Sequence, residues 1–405
     1  MRHFPNWLEA YFSYANDHFC PSKFHEWVGR SVVAGALQRK VSLRQEKITH
    51  TPNIYVMLVS HPAAGKSTAI DPGTDLIEAL RAEYNPNFQI IPNQGTEAAL
   101  VKQMQIQERF EIPGVSALFP HSSGYFYASE ASSSALQNTF GNYIATLTAF
   151  YDCPKFFRKQ LAGQTEMTQI ENVCVNLLAG ATFEYLKSLV NEQTVHGGFA
   201  SRLIYVVNPE QRVREITWGE KTVDVNVSLR QKLLEDLAQI HALAGPVTAT
   251  PDFKAAFVKW FPEFDRERID LNSASLSSLL SRKGTNLIKI AIILSASESN
   301  DLTVTQKHFE EAKEIMDKVT EDNKCVLSMA LMSNKESQSG ITQFLGNALK
   351  KRGGRMKMAD LKRVALINGN QTQLITQTLD FMQGSGWISY DGTVVTLLVD
   401  PDAHL

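Results

Sequence analysis

Apolar and aromatic residues recur at helical spacing across residues 5–40 (Trp7, Leu8, Tyr11, Phe12, then Phe24, Trp27, Val28, Val32, Val33), and Pro21 divides them, which predicts two helices. The pattern then shifts to short apolar runs. Val41–Ile48 reads as an edge strand, 54–59 as a buried strand, 66–83 as a helix and Phe88–Ile91 as another strand; Thr96 is placed to cap the helix that follows. Tyr125–Ala128, Val173–Leu178 and Leu203–Val207 continue the series, separated by helical segments. Strand and helix in alternation predict an α/β fold with a parallel sheet covered on both faces, ending near residue 210.

From about 225 to 325 the periodicity is helical throughout, with amphipathic stretches at 227–243, 252–267, 276–297 and 305–325, which predicts a helical lid or bundle over 211–332. The polar stretch Ser333–Ser339 reads as a linker, 333–340. Beyond it, 341–351, 358–366 and 371–383 predict three short helices, and Trp387–Tyr390 and Thr393–Leu398 a hairpin turning at Asp391-Gly392. Three helices and a hairpin predict a winged helix over 341–405.

A chain of 405 residues is long enough for two or three domains with real cores. The formal net charge of −2 confines any nucleic-acid binding to local patches. Cys20, Cys153, Cys174 and Cys325 share no metal-ligand spacing, which predicts a reduced, cytoplasmic protein; His18, Cys20 and His25 lie close together but within an aromatic-rich helical segment. No apolar run approaches the roughly 20 residues of a membrane span, and the first residues carry no export signal pattern.

The candidate chemistry begins at residues 54–68, where the apolar run runs directly into Ser60-His61-Pro62-Ala63-Ala64-Gly65-Lys66-Ser67-Thr68. A buried strand, a tight loop and a helix N-terminus in that order make a P-loop: backbone N–H groups surround phosphates, Lys66 reaches the β- and γ-oxygens and the Ser67 hydroxyl binds Mg²⁺. Ser60 stands where the motif has its first glycine. The expected cofactors are ATP and Mg²⁺.

Glu130, at the end of the run Tyr125–Ala128, is placed to activate a water and to help hold the metal, although Ser129 occupies the position of the metal-associated Asp. Its alternative role is to cap the next helix. Thr182, ending the run from Val175, can sense the γ-phosphate or cap the helix after it. In Gly197-Gly198-Phe199-Ala200-Ser201-Arg202, glycines present an arginine at the sheet's edge, where it can enter a neighbouring subunit's site or form a surface ion pair. Lys155, Arg158 and Lys159 flank a turn at Ala162-Gly163-Gln164, either lining a channel for single-stranded DNA or forming a solvated basic hairpin. Lys350, Lys351, Arg352, Arg355, Lys357, Lys362 and Arg363 form a basic patch opposed by Asp360, suited to duplex DNA unless the domain docks protein. The third helix would offer Gln371, Thr372, Gln373, Thr376 and Gln377 to the groove.

Over residues 5–325 this order of motifs resembles AAA+ ATPases of the minichromosome-maintenance-like helicase group, and more closely the helicase-like ATPases of phages and mobile elements. The resemblance implies Walker A residues at Lys66 and Ser67, the Walker B glutamate at Glu130, sensor 1 at Thr182, the arginine finger at Ser201-Arg202, a sensor-2 arginine at Arg282 and a pore hairpin at Phe156–Thr168. It also implies a homo-hexameric ring that moves along DNA, with replication proteins as partners, or else an ATP-switched initiator or loader.

Overall fold

The computed structural model describes the chain apart from residues 1, 17–19, 138–141, 162–166, 190–197, 211–222, 272–273, 368–378, 380–381, 384–386, 392 and 399–405, and leaves aside the side chains at 223–226, 274–275, 327–343 and 366–367. It divides into two compact units, Met1–Leu327 and Ser328–Leu405.

The first unit opens with α1 (Trp7–Ala15) and α2 (Ser22–Leu37). The Asn6 side chain starts α1 by accepting from the Leu8 and Glu9 N–H groups, and Pro21 stands immediately before α2. The expected single edge strand is two strands, β1 (Val41–Gln45) and β2 (Ile48–His50), because Glu46 takes a positive φ of 50° and folds the segment into an antiparallel hairpin outside the main sheet.

The main sheet follows. Its elements alternate as β3 (Tyr55–Ser60), α3 (Lys66–Glu83), β4 (Gln89–Ile91), α4 (Glu97–Gln103), β5 (Glu108–Glu111), β6 (Leu118–Ala128) and α5 (Asn142–Tyr151). Next come β7 (Phe156–Gln160), β8 (Met167–Glu171), β9 (Val173–Ala181), α6 (Phe183–Leu189) and β10 (Leu203–Asn208). The strand order is β10-β3-β9-β6-β4, all parallel, with β5 added antiparallel to β6 and β7–β8 forming a separate antiparallel hairpin.

The fold is α/β, and the strands' apolar runs are continuous because both faces are covered. Val56, Leu58, Leu178, Ile204 and Val206 enter one core with α2 and α3, whereas the Tyr55 hydroxyl, on the other face, donates to the Leu147 carbonyl of α5 at 2.8 Å.

Five helices complete the helical region: α7 (Val223–His241), α8 (Pro251–Ile269), α9 (Ala274–Leu280), α10 (Lys283–Glu298) and α11 (Gln306–Lys350). Leu233, Leu234, Leu237 and Ile240 of α7 are fully buried in the same core as α1 and α2, and the Trp7 indole N–H donates to the Leu233 carbonyl at 2.9 Å. The helices differ from expectation in two ways. The helix expected over 276–297 breaks at Ser281-Arg282. Two-residue strands β11 (Gly245–Pro246), β12 (Thr248–Ala249) and β13 (Thr303–Val304) also lie where no strand was expected.

The linker expected at 333–340 is helical within α11: a polar run without proline carries no helix break until Gly340, and one glycine inside a helix costs only about 1 kcal/mol. In the second unit the described elements after α11 are β14 (Arg355–Lys357), α12 (Met358–Ile367), β15 (Ile388–Tyr390) and β16 (Val394–Leu397), and the strands form a sheet of order β14-β16-β15. Its own core gathers Leu345, Leu349, Leu361, Ala365, Ile388 and Val395. The Asp391 carboxylate accepts from the Thr393 and Val394 N–H groups and fixes the β15–β16 turn. The groove helix expected at 371–383 lies largely outside the described residues.

Candidate functional site

Three chain segments end together at the carboxyl edge of the main sheet. Ser60 closes β3, Ala128 closes β6 two residues before Glu130, and Ala181 closes β9 one residue before Thr182; Val59 pairs with Ala181 and Ala128 with Ala179, which puts these ends level. Open α/β sheets bind ligands at this edge.

The loop from Ser60 enters α3 through two left-handed residues, Ala63 (φ 61°) and Gly65 (φ 82°). Glycine takes that conformation without strain. The turn aims the start of α3 back over the strand ends. The first bond of the helix is from the Ala69 N–H to the Gly65 carbonyl at 2.9 Å, so the N–H groups before it have no intrahelical partner. Ser67 and Thr68 are exposed on that first turn, Ala63 is exposed and Ala64 half-buried beside it.

Lys66 is buried, and its ammonium donates to the His61 carbonyl at 3.0 Å and, at 3.4 Å, to the carbonyl and hydroxyl of Ser60. Burial lowers its pKa, and the negative charges of Glu130 and Glu184 oppose that shift. A buried cation held by loop carbonyls, with free helix N–H groups next to it, can hold a phosphate-sized anion.

Close packing fixes the rest. A methyl group at Gly180 would lie 2.3 Å from the Ser129 carbonyl oxygen and 3.4 Å from Lys66 Cβ, so the Ser129 backbone packs on β9 where only a glycine leaves room, with Lys66 next to it. Glu130 is half-buried just beyond, accepting from the Ser132 hydroxyl at 3.2 Å. The Thr182 hydroxyl caps α6 by accepting from the Tyr185 N–H at 3.3 Å; this uses an oxygen lone pair and leaves the hydroxyl proton to donate.

Glu184 was not singled out from the sequence. It stands two residues after Thr182, exposed, and acts electrostatically on Lys66 as Glu130 does. His61 was also missed; its ring meets Phe183 edge-on at 4.8 Å and ties the loop to α6. Ser67 and Glu130 are the residues suited to a divalent cation, Ser67 by its exposed hydroxyl and Glu130 by its carboxylate. Among the described residues no group of three or more His, Cys, Asp or Glu could hold a metal ion by itself.

Arg202 and Arg282 do not join this site. Leu203 pairs with Tyr55 and Asn208 with Ser60, so Arg202 starts at the opposite end of β10, about 17 Å or more from the loop at about 3.3 Å per residue. Its guanidinium bonds the Asp152 carboxylate at 2.5 Å and the Gly198 carbonyl at 2.8 Å, and its Nε is buried without a partner. Arg282, just before α10, reaches the same Asp152 at 3.5 Å. Both guanidinium groups lie over the Tyr151 ring, at 5.7 Å and 6.0 Å. Ser201 is buried, with its hydroxyl donating to the Gly198 carbonyl.

The base of the β7–β8 hairpin lies by this second edge, where the Asn172 N–H donates to the Lys155 carbonyl at 2.8 Å. Lys155 and Arg158 are exposed, but Lys159 pairs with Glu97 on α4, which removes it from the solvent-facing set. The turn at 162–164 lies outside the described residues. In the second unit Lys350, Lys351, Arg352, Arg355, Lys357 and Arg363 are exposed and Lys362 is half-buried. Gly353 (φ 72°) and Gly354 (φ 78°) turn the chain between α11 and β14.

Among the described residues no helix is long and apolar enough to cross a membrane. No protein-family model matches this chain, and no curated protein matches it.

Proposed function

We propose that the protein is an AAA+ P-loop ATPase that assembles into a ring and uses ATP hydrolysis to move along or remodel DNA, in the manner of a replicative helicase of a phage or mobile element. One observation carries the reading. The carboxyl edge of the sheet assembles Lys66, Ser67, Glu130 and Thr182, whereas Arg202, buried, and Arg282 are held by Asp152 at the other edge, too far away to serve the same subunit's site. In a ring, release from Asp152 would let these arginines complete the site of the next subunit.

The residues present fit a nucleoside triphosphate with Mg²⁺. Positive φ at Ala63 and Gly65 folds the loop around a phosphate, Lys66 can exchange weak carbonyl contacts for phosphate oxygens, and Gly180 admits the backbone of the Glu130 segment at close range. Bound ATP and Mg²⁺ supply the reacting phosphoryl group and its charge neutralisation. Around them, Lys66 would balance phosphate charge, Ser67 would offer the metal its hydroxyl, Glu130 would orient and deprotonate water, and Thr182 would donate its free hydroxyl proton. The cations of the hairpin would follow single-stranded DNA, and those of the C-terminal unit, read as a winged helix, would contact duplex phosphates.

With Ser129 in place of a second carboxylate, an initiator or loader that uses ATP as a switch remains the second reading. Glu130→Gln tests the shared premise. It keeps shape and loses the base, so nucleotide affinity is expected to hold while turnover falls by about 10²-fold or more; loss of affinity with turnover retained would remove Glu130 from the water-activating role.

A further inference from the structure

Two cations lie over one exposed aromatic ring on the hairpin. Phe156 opens β7 with 46 % of its surface accessible, the Lys155 ammonium lies 5.5 Å from its ring centroid and the Arg158 guanidinium 5.7 Å. A phenylalanine that served only the core would point inward, as its neighbour does: Phe157 is half-buried and meets Phe150 of α5 edge-on at 4.9 Å. The alternation of the strand puts Phe156, Arg158 and Gln160 on the solvent face. Gln169, opposite Arg158 in β8, holds that guanidinium at 2.8 Å through its side-chain carbonyl, so the cation is fixed on the face beside the ring. Lys159 points the other way to Glu97.

We propose that Phe156 is a stacking platform for a base of single-stranded DNA, with Lys155 and Arg158 holding the flanking phosphates. This rests on the DNA reading above and adds to it a contact with the base. A flat π-face stacks on any base, and a base that takes the face Lys155 or Arg158 now covers would release that cation to a flanking phosphate. The acidic neighbour across the strand pair, Glu171, is engaged by the Gln169 amide at 3.2 Å. Duplex DNA buries its base faces and cannot use such a platform.

The test compares two oligonucleotides of equal length, oligo-dT and a strand of abasic sites with the same phosphates, binding to the full chain in the presence of a non-hydrolysable ATP analogue, by fluorescence anisotropy. Wild type is expected to prefer oligo-dT. Phe156→Ala should weaken oligo-dT by about 5- to 150-fold, the range of one base–aromatic stack, and leave the abasic strand unchanged; Phe156→Tyr should restore the preference. If wild type binds both strands equally, or Phe156→Ala weakens both alike or neither, the stacking role is overturned and the phosphate contacts stand. If neither strand binds, this inference and the DNA reading fall together.

Discussion

A single methyl group separates two outcomes at Gly180. Its Cβ would sit 2.3 Å from a backbone oxygen, which no rotamer change relieves, so Gly180→Ala must push β9 away from Ser129 or from Lys66. Forcing a methyl group into such packing costs about 1–3 kcal/mol, and the lowered urea midpoint should come with weaker nucleotide binding, because the displaced atoms are those of the site. An unchanged midpoint would mean that the three segments are not held at the distance described. Lys66, Ser67 and Glu130 were legible in the sequence because each depends on a local order, an apolar run followed by a loop and a helix or by an acid. Arg202 was legible as an arginine before a strand, but its partners were not. Asp152 lies fifty residues earlier and Arg282 eighty later, and only the fold brings the three together. The pairing of Lys159 with Glu97 was hidden for the same reason.

Three elements carry histidines that burial keeps neutral. His50 on β2 and His241 on α7 are pushed down to about 4, and His121 on β6 to about 3, each chiefly by loss of solvent and further by nearby cations. In the unfolded chain these groups take up protons near pH 6.5, whereas the folded protein refuses them until about pH 4 or below. Their contribution to stability is therefore complete above about pH 6.5 and drains away as pH falls towards 4. Lys40, its pKa lowered to about 7 by burial, works in the same direction on the alkaline side, since the unfolded chain binds its proton up to the ordinary lysine range. Urea midpoints should climb from pH 5 to pH 8, and a flat or falling profile over that window would contradict the burial of these groups. At this scale the five parallel strands of the main sheet and the helix Lys66–Glu83 were readable from apolar runs and spacing, whereas the antiparallel β5, with the polar sequence Glu-Arg-Phe-Glu, was not. The break at Ser281-Arg282 and the continuity of α11 were not: a polar segment without proline looks the same in a linker and in a solvated helix.

At the scale of the whole molecule, strand order is what no periodicity reveals. Placing β9 between β3 and β6 brings Thr182 to Lys66 and Glu130, and the parallel pairing of β10 with β3 puts Arg202 at the other edge. The central claim is that one subunit's arginine completes the next subunit's site, and mixing two inactive variants tests it most directly. Lys66→Ala cannot hydrolyse at its own site but still carries Arg202; Arg202→Ala keeps its own P-loop and has no arginine to lend. Each alone, shown to be folded by its unfolding midpoint, should lose turnover, the second by about 10³-fold or more as for trans arginines in phosphoryl transfer. Assembled together from monomers in equal amounts, the two should recover part of the ATPase activity wherever an Arg202 subunit faces an intact site. Full turnover by Arg202→Ala alone, or no recovery in rings verified to contain both variants, would contradict the account.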